Sequence, residues 1–349
     1  MSDRLRFGVI GCGEIAAETC QGMAASPHTA IAMLMDLRPE VSRDLADFFG
    51  VPSTTDVDQV LASPEVDAVY IATPHDTHVS LGIRAAQAGK HVLIEKPIAT
   101  DLAGADALIA ACRAGGVSLG VAFYAQVDAS LAAARQIVRA GVLGEIIAVR
   151  LSCLADKPET YWHGGYTQRV QTDWRTSKVR AGGGVLMMNV IHDLNTVRWV
   201  TGLEVHRVYA EYGTLATPVD VEDTIAVVLR YDNHGIGMIQ AGSALRGGEH
   251  QDARGPRIYG TRGQMILDSR PSIYLQEPWE GMSLGDWGRV PFSGPTADRE
   301  QIVSRFATAV LAGEPPPCTG EDGRAALEIV LAAYRSGELG RPTELPLQS

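Results

Sequence analysis

Between residue 6 and about residue 122, short apolar runs alternate with longer stretches in which apolar positions recur at helical spacing. Short strands alternating with helices of about ten or more residues are typical of parallel βαβ units, whose sheets are covered by helices on both faces. We therefore predict a parallel sheet here. The predicted strands are Arg6–Ile10, Ala30–Met35, Ala68–Ala72, His91–Ile94 and Ser118–Ala122, and the predicted helices include Pro39–Phe49 and Val79–Ala88.

After about residue 123 the strands become longer and their alternation looser, which is typical of a mostly antiparallel open sheet with helices on one face, the α+β pattern. The turn Asp232–Gly235 predicts a hairpin, and the Gly-, Pro- and Trp-rich stretch Glu277–Ala297 predicts a long loop. The predicted helices are Ala129–Ala140, Val185–Thr201, Arg299–Ala312 and Gly320–Ser336. The predicted strands are Glu145–Leu154, His206–Gly213, Asp223–Tyr231, Ile236–Ser243, Arg257–Tyr259, Gln264–Asp268 and Ser272–Gln276.

The change of pattern predicts two domains, as expected for 349 residues at roughly 150 residues per domain. Residues 1–122 form the α/β domain. Residues 123–349 form the α+β domain, with its last helices free to pack back on the first. An open sheet leaves one face to be covered, so we expect a homodimer or homotetramer through the strands between His206 and Ser243.

The 30 basic and 41 acidic side chains leave a net charge of −11, so no nucleic-acid partner is expected. The sequence contains no window of about 18 uninterrupted apolar residues, so no membrane span is expected. The five cysteines are scattered, none forms C-x-x-C, and no apolar leader precedes the first strand. We therefore expect reduced thiols in a cytoplasmic protein.

The first predicted strand runs into GVIGCGEIA, where Gly11, Gly13 and Ala16 form G-x-G-x-x-A. At a strand-to-helix turn, these small residues allow a tight turn and close approach of a pyrophosphate, so we predict a Rossmann dinucleotide-binding domain. Asp36 ends the next strand 23 residues after Gly13, and a carboxylate there binds ribose hydroxyls and repels a 2′-phosphate. We expect NAD, although Arg38 leaves NADP open because its guanidinium can reach a phosphate.

Two segments follow predicted strands at the edge where doubly wound sheets bind ligands: ATPHDTH, which ends at His78, and Glu95-Lys96-Pro97. A partly desolvated Lys96 amine beside a positive nicotinamide ring would have a lowered pKa and would polarise a hydroxyl. The alternative is an ordinary surface lysine. The H-x-x-H pair of His75 and His78 is expected to pack or contact the cofactor, and no metal site is expected because no third ligand lies nearby.

The helix after Gly182-Gly183-Gly184 is almost wholly apolar, yet it carries Asn189, His192 and Asn195 at i, i+3 and i+6. Buried polar groups are unfavourable unless something binds them, so this stripe predicts a functional site. The alternative is a satisfied structural network within the core.

The segment Tyr161–Arg175, which reads YWHGGYTQRVQTDWR, concentrates aromatic and planar polar side chains. Aromatic platforms suit the C–H faces of polyhydroxylated rings, and such a segment is equally well explained as an ordered loop with aromatic anchors. Both interpretations stay open at this point.

Together these residues resemble the Gfo/Idh/MocA oxidoreductases, which include glucose–fructose oxidoreductase and inositol dehydrogenase. The resemblance spans essentially the whole chain, through GVIGCGEIA, YIATPHDTHVSLGIRAAQAGKHVLIEKPIA, GVLGEI, DWRTSKVRAGGGVLMMNVIHDLNTVRWVTG and GEDGRAALEIVLAAYRSGELGRPTELP. It implies that Lys96 is catalytic, that His192 is a general acid/base, and that Trp174 and Arg175 lie near nicotinamide and substrate.

The chain departs from the family pattern around the histidine. Met188 stands where many members carry an aspartate, Asn189 is polar instead, and Asn195 replaces a common acidic residue. Whether His192 or Lys96 takes the proton is therefore left open.

The expected function is hydride transfer between a secondary hydroxyl of a sugar, cyclitol or related polyol and NAD. The alternative is an NAD-retaining glycosidase or sugar–sugar oxidoreductase that uses transient oxidation. The expected cofactor-binding residues are Gly11, Gly13, Glu14, Ile15, Asp36, Arg38, Thr73, Pro74, His78, Glu95, Lys96, Trp174 and Arg175. The expected substrate-binding residues are Lys96, Tyr124, Tyr161, Trp162, Arg175, Asn189, His192 and Asn195.

Overall fold

A computed structural model describes residues 4–247, 255–282 and 284–347. The chain divides into two compact units. The first contains the chain up to Val127 together with Pro158–Gly182 and Ala297–Leu327, and the second contains the remainder. The boundary predicted after residue 122 left the last helices free to pack back on the first domain, so it differs from this division mainly by the segment Pro158–Gly182.

The first unit contains a parallel sheet, whose strands in the described residues are β1 Leu5–Ile10, β2 Thr29–Met35, β3 Ser53–Thr54, β4 Ala68–Ile71, β5 His91–Ile94 and β6 Leu119–Val121. Their order is β3-β2-β1-β4-β5-β6, and every neighbouring pair is parallel. All side chains of β4 are buried, which explains its continuous apolar run. The predicted Rossmann-type sheet is confirmed, and only the short β3 was missed.

The helices, in chain order, are α1 Glu14–Ala25, α2 Pro39–Phe49, α3 Val57–Ala62, α4 His78–Gln87, α5 Leu102–Ala114, α6 Ala129–Arg139, α7 Glu159–Gly164, α8 Lys178–Ala181, α9 Ile191–Thr201, α10 Arg299–Ala312 and α11 Gly320–Leu339. In the first unit α10 packs on α1, where Gly22 allows the contact: a Cβ there would lie 2.6 Å from the backbone nitrogen of Glu300. Phe306 of α10 joins Phe7 of β1 in the core of this unit.

The second unit contains a mixed sheet, made of β7 Ile146–Leu154, β8 Val205–Gly213, β9 Thr224–Tyr231, β10 Ile236–Gly242, β11 Arg257–Gly260, β12 Gly263–Ile266, β13 Ser272–Leu275, β14 Trp287–Arg289 and β15 Thr343–Glu344. The order is β14-β13-β12-β11-β7-β10-β9-β8-β15. All pairs are antiparallel except β7 with β10, and the predicted hairpin joins β9 to β10. The mostly antiparallel sheet is confirmed.

The prediction of an unbroken loop over Glu277–Ala297 was wrong at β14, which pairs with β13 as an edge strand. Three residues are too few to show an alternating pattern, so the Gly- and Pro-rich composition dominated the prediction. The short helices α3, α7 and α8 were missed for the same reason of length.

The strands β8, β9 and β10 have one buried and one exposed face. Val208, Val227 and Ile239 lie on the buried face. Four large apolar side chains on the opposite face are between 36% and 54% exposed: Tyr209, Val228, Ile236 and Met238. Within the residues described, every helix is too short or too polar to cross a bilayer.

Candidate active site

The turn between β1 and α1 has the backbone geometry that the glycine pattern requires. Gly11 has φ +89°, and a Cβ there would lie 2.7 Å from the carbonyl oxygen of Ala72. Gly13 caps α1 without a side-chain hydrogen bond, and a Cβ built on it would meet no described atom within 4 Å. The N–H groups that open α1 therefore border open space, which fits the pyrophosphate of a dinucleotide.

Asp36 follows β2 beside this turn. Its carboxylate accepts hydrogen bonds from the backbone N–H groups of Cys12 and Arg38, both at 3.0 Å. The Arg38 guanidinium donates to the carbonyl of Gln171 at 2.8 Å and lies 3.8 Å from Asp36. Two backbone N–H groups thus fix the orientation of this carboxylate, and its binding of a ribose stays a prediction.

The segment Pro158–Gly182 of the first unit packs on the glycine turn. The Glu14 carboxylate accepts from the N–H groups of Tyr166 and Thr167 at 3.1 and 2.7 Å. Arg169 donates to the carbonyl of Cys12 at 3.1 Å and to Asp44 at 2.9 Å. The expectation that Glu14 contacts the cofactor stays a prediction, as does the same expectation for Ile15, which follows it in the first turn of α1 and is half-buried.

Several predicted aromatic residues lie close together in that segment. Tyr161 and Trp162 are 8% and 2% exposed and form an edge-to-face pair. The Arg175 guanidinium lies 5.2 Å from the Tyr161 ring centre and 4.7 Å from that of Trp174. Tyr161 and Trp162 therefore serve as core anchors of this segment, whereas Trp174 and Arg175 are half-buried.

The segment Glu95-Lys96-Pro97, which we call the E-K-P turn, follows β5 and begins with a buried ion pair. Glu95 is 6% exposed and accepts hydrogen bonds from Tyr70 and Arg299, both at 2.6 Å. Burial alone would raise the pKa of Glu95, but the charges of Arg299 and Lys96 and the Tyr70 hydrogen bond outweigh it and lower that pKa. Arg299 also lies 5.1 Å from the ring centre of Tyr124. Lys96 is half-buried between buried neighbours.

The two histidines after β4 pack inside the first unit. The His78 ring nitrogens lie 2.8 Å from the Pro97 carbonyl and 3.0 Å from the Thr73 carbonyl, so the ring joins the loops that follow β4 and β5. His75 lies 2.7 Å from the carbonyl of Ala181 and packs on Trp174. Burial lowers the pKa of both histidines. Among the described residues, no group of three or more metal-ligating side chains was found.

Thr73 and Pro74 are half-buried next to the glycine turn, since a Cβ on Gly11 would also lie 2.9 Å from Thr73 Cγ2. The predicted cofactor residues of the first unit thus surround the carboxyl ends of β1, β2, β4 and β5.

In the second unit a carboxylate holds the start of the post-glycine helix. Glu222 accepts from the N–H groups of Gly184 and Leu186 at 2.5 and 2.9 Å and from the Tyr334 hydroxyl at 2.8 Å. A Cβ on Gly184 would lie 1.9 Å from the Glu222 carbonyl oxygen, so only glycine fits. Burial raises the pKa of Glu222 despite these hydrogen bonds.

The helix begins with a π turn, Leu186–Val190, before α9. Asn189 in this turn accepts a hydrogen bond from the Lys157 ammonium at 2.6 Å. Asn189 and His192 are half-buried, whereas Asn195 is 1% exposed. The predicted polar stripe is therefore not uniform, because the π turn changes the angular spacing and Asn195 belongs to the core.

Four residues that contact predicted site residues or the start of the post-glycine helix escaped the sequence analysis: Tyr70, Lys157, Glu222 and Arg299. Each contacts a residue distant in the chain, and these pairings leave no periodic pattern. A signal was available for Lys157, since Lys157-Pro158 follows a strand as Lys96-Pro97 does.

A parallel sheet in this strand order, a glycine turn and an acidic residue after β2 define a dinucleotide-binding domain of the Rossmann type. The "Oxidoreductase family, NAD-binding Rossmann fold" model of Gfo/Idh/MocA proteins matches residues 5–123, and the family's C-terminal domain model matches residues 131–266. The chain belongs to the Gfo/Idh/MocA family, and the expected fold, enzyme class and NAD cofactor are confirmed.

Two curated relatives and one solved structure match this chain along nearly their whole length. The chain is 28% identical to 1,5-anhydro-D-fructose reductase from Ensifer adhaerens, covering 97% of this chain and 98% of the relative. It is 27% identical to myo-inositol 2-dehydrogenase from Thermotoga maritima, covering 98% of each. The WlbA dehydrogenase from Bordetella pertussis, solved with NADH and UDP-GlcNAcA, is 25% identical with TM-score 0.83, covering 99% of this chain and all of that one.

Proposed function

We propose that this protein is an NAD-dependent dehydrogenase acting on a secondary hydroxyl of a sugar, cyclitol or related polyol. The observation that carries the proposal is the E-K-P turn. Lys96 follows β5 at the sheet edge that also holds the glycine turn after β1, and the adjoining Glu95 charge is neutralised by Arg299. The names of the inositol and anhydro-sugar relatives support the same substrate class.

When bound, NAD supplies the hydride acceptor. His192 takes the hydroxyl proton and Lys96 holds and polarises the same oxygen, as the family resemblance implies. We assign the orientation of substrate hydroxyls to Asn189 rather than Asn195, because only Asn189 keeps solvent exposure.

NAD is proposed over NADP because Asp36 is held where it accepts hydrogen bonds, and because Arg38 is engaged by Gln171 and Asp36. Titrating the protein with both reduced cofactors measures the preference by nicotinamide fluorescence. Tighter NADPH binding would overturn this part of the proposal.

An NAD-coupled screen over inositols, aldoses and 1,5-anhydro sugars tests the activity. We expect NADH to accumulate with at least one polyol. Substrate conversion without NADH accumulation would instead identify an enzyme that retains NAD and uses transient oxidation.

We also propose self-association through the exposed face of β8–β10, because four large apolar side chains share it: Tyr209, Val228, Ile236 and Met238. Met238→Glu should shift the mass measured by light scattering at micromolar concentration towards the monomer. Leu311→Glu adds the same charge in place of an exposed apolar side chain of α10, in the first unit, and serves as control. A monomeric wild-type protein would contradict this proposal.

A further inference from the structure

Lys157 lies just after β7 and is almost fully buried, with 5% exposure. Its backbone N–H donates to the carbonyl of Ser243 at 2.9 Å, and the preceding Asp156 bridges to Ala244. These contacts extend the pairing of β7 with β10 and hold the Lys157 backbone in place. A lysine ammonium is rarely taken out of water to this extent unless it has polar partners.

One partner of that ammonium is the Asn189 side chain, at 2.6 Å. An ammonium has three donors and no acceptor, so the oxygen of the Asn189 amide must face Lys157. This requirement removes the usual ambiguity in how an asparagine amide is turned. The Nδ2 group, with its two N–H donors, therefore points away from Lys157.

Asn189 lies in an unusual stretch of helix. Of the five residues of the π turn, all of them described, Asn189 alone keeps solvent exposure, and Leu186, Met187, Met188 and Val190 are at most 4% exposed. It also precedes His192 by one turn. π turns are frequent at functional sites because they displace a side chain from the regular helical path.

We propose that Lys157 is a positioning residue that makes Asn189 a hydrogen-bond donor to an oxygen of the substrate. This inference rests on the proposed dehydrogenase function and adds a requirement to it. The substrate must carry, besides the hydroxyl that is oxidised, a second oxygen that accepts a hydrogen bond, such as another hydroxyl, a ring oxygen or a carboxylate oxygen. Simple monohydric alcohols lack such an oxygen and are expected to be poor substrates.

The test compares a polyol with its deoxygenated analogues in wild type and in Lys157→Met. The probes are myo-inositol and 1,5-anhydro-D-glucitol, with the monodeoxy forms of whichever the wild-type protein oxidises. In wild type, removing the oxygen that Asn189 binds should lower kcat/KM by about 10- to 100-fold, because the N–H donor is left unpaired. In Lys157→Met the Asn189 amide is free to turn, so the ratio of kcat/KM for the polyol to kcat/KM for its deoxy analogue should fall to within about 3-fold.

Asn189→Leu should lose the same discrimination between the polyol and its deoxy analogue. The double variant of Lys157→Met and Asn189→Leu should lose no more than Asn189→Leu alone, because both residues act through one contact. Lys157→Arg keeps a cationic donor, so its kcat/KM ratio of polyol to deoxy analogue should lie between those of Lys157→Met and wild type. If Lys157→Met fails to fold, Lys157→Gln, whose amide can still occupy the site, replaces it.

Lys90→Met is the matched control. Lys90 also donates to carbonyl oxygens, those of Ser63 and Val66 at 2.8 Å each, but it lies in the first unit at the start of β5. Its loss should lower the melting temperature without changing the ratio between the polyol and the deoxy analogue.

Wild-type turnover with an unchanged ratio in Lys157→Met would overturn the inference and leave the proposed function intact. If the wild-type protein binds NADH but neither binds nor oxidises any polyol of the screen, the proposed function fails, and the inference fails with it.

Discussion

Buried carboxylates are stabilised in opposite ways in the two units. In the first unit, Glu95 is paired with the permanent charge of Arg299, and its pKa is lowered. In the second unit, Glu222 is bound by neutral N–H and O–H groups, and its pKa is raised by burial. The pKa of Asp193, on α9, is raised by burial to about 7.

The contrast has a physical consequence. An ion pair keeps the E-K-P turn charged over the whole neutral range, so Lys96 lies in a constant field. The helix that carries Asn189 and His192 instead lies near Glu222 and carries Asp193, and burial raises the pKa of both carboxyl groups. The two units should therefore respond differently to mutation and to pH.

The largest expected effect is on the rate, and it tests whether both units serve one reaction. Lys96→Met and His192→Gln should each lower kcat by about 10²- to 10⁴-fold, because each removes a group that acts on the reacting hydroxyl. Stopped-flow NADH formation measures the rate, and NADH fluorescence checks that cofactor binding persists. Near-normal turnover in either variant would refute its catalytic role.

Arg299→Met should destabilise the protein by about 3–5 kcal/mol, because it leaves the Glu95 carboxylate buried without its charge partner. Denaturant unfolding at pH 7 measures the change. Adding Glu95→Gln to this variant should recover part of the loss, since the unpaired charge is gone. No recovery would mean that Arg299 acts by packing on Tyr124 instead.

Asp193 should make the protein less stable as pH rises. Below about pH 4 both the folded and the unfolded chain carry the proton, whereas between pH 4 and 7 only the folded chain keeps it. The free energy of unfolding should fall across this window by less than about 4 kcal/mol, the equivalent of three pKa units, because Asp193 keeps some solvent exposure.

Asp193→Asn should remove this dependence and stabilise the protein at pH 8 relative to wild type. Asp232→Asn, in the exposed hairpin turn of the same unit, makes the same charge change and is the control. Parallel pH profiles for wild type and Asp193→Asn would contradict the assignment.

The smallest effect concerns the cofactor. Asp36→Ser removes the carboxylate that repels a 2′-phosphate. It should therefore raise the ratio of NADPH affinity to NADH affinity by about 10-fold. Fluorescence titration with both cofactors measures it. Asp47→Ser on the exposed side of α2 should leave the ratio unchanged, and an unchanged ratio in Asp36→Ser would remove Asp36 from the ribose site.

Much of the first unit was predictable from local patterns. The bounds of α2 and α10 were predicted to the residue, because each has an amphipathic pattern with clear end signals: Pro39 opens α2, and Asp298 and Gly313 flank α10. The glycine turn was predictable because it depends on backbone conformation and close approach, and only residues with small side chains or none allow these. In the second unit the π turn was not, since a single extra residue in a helix leaves the apolar pattern almost unchanged.

Chain order and residue type were enough to indicate the two folds and the glycine turn of an NAD-binding domain, and to suggest the roles that we propose for Lys96 and His192. They did not indicate that Arg299 would neutralise Glu95 across 204 residues, or that Lys157 would orient Asn189 across 32. Backbone geometry depends on neighbours along the chain, so nearby residues form a sequence pattern that predicts it. Pairing between buried polar groups depends on which surfaces meet after folding, and desolvation then makes each pairing strong.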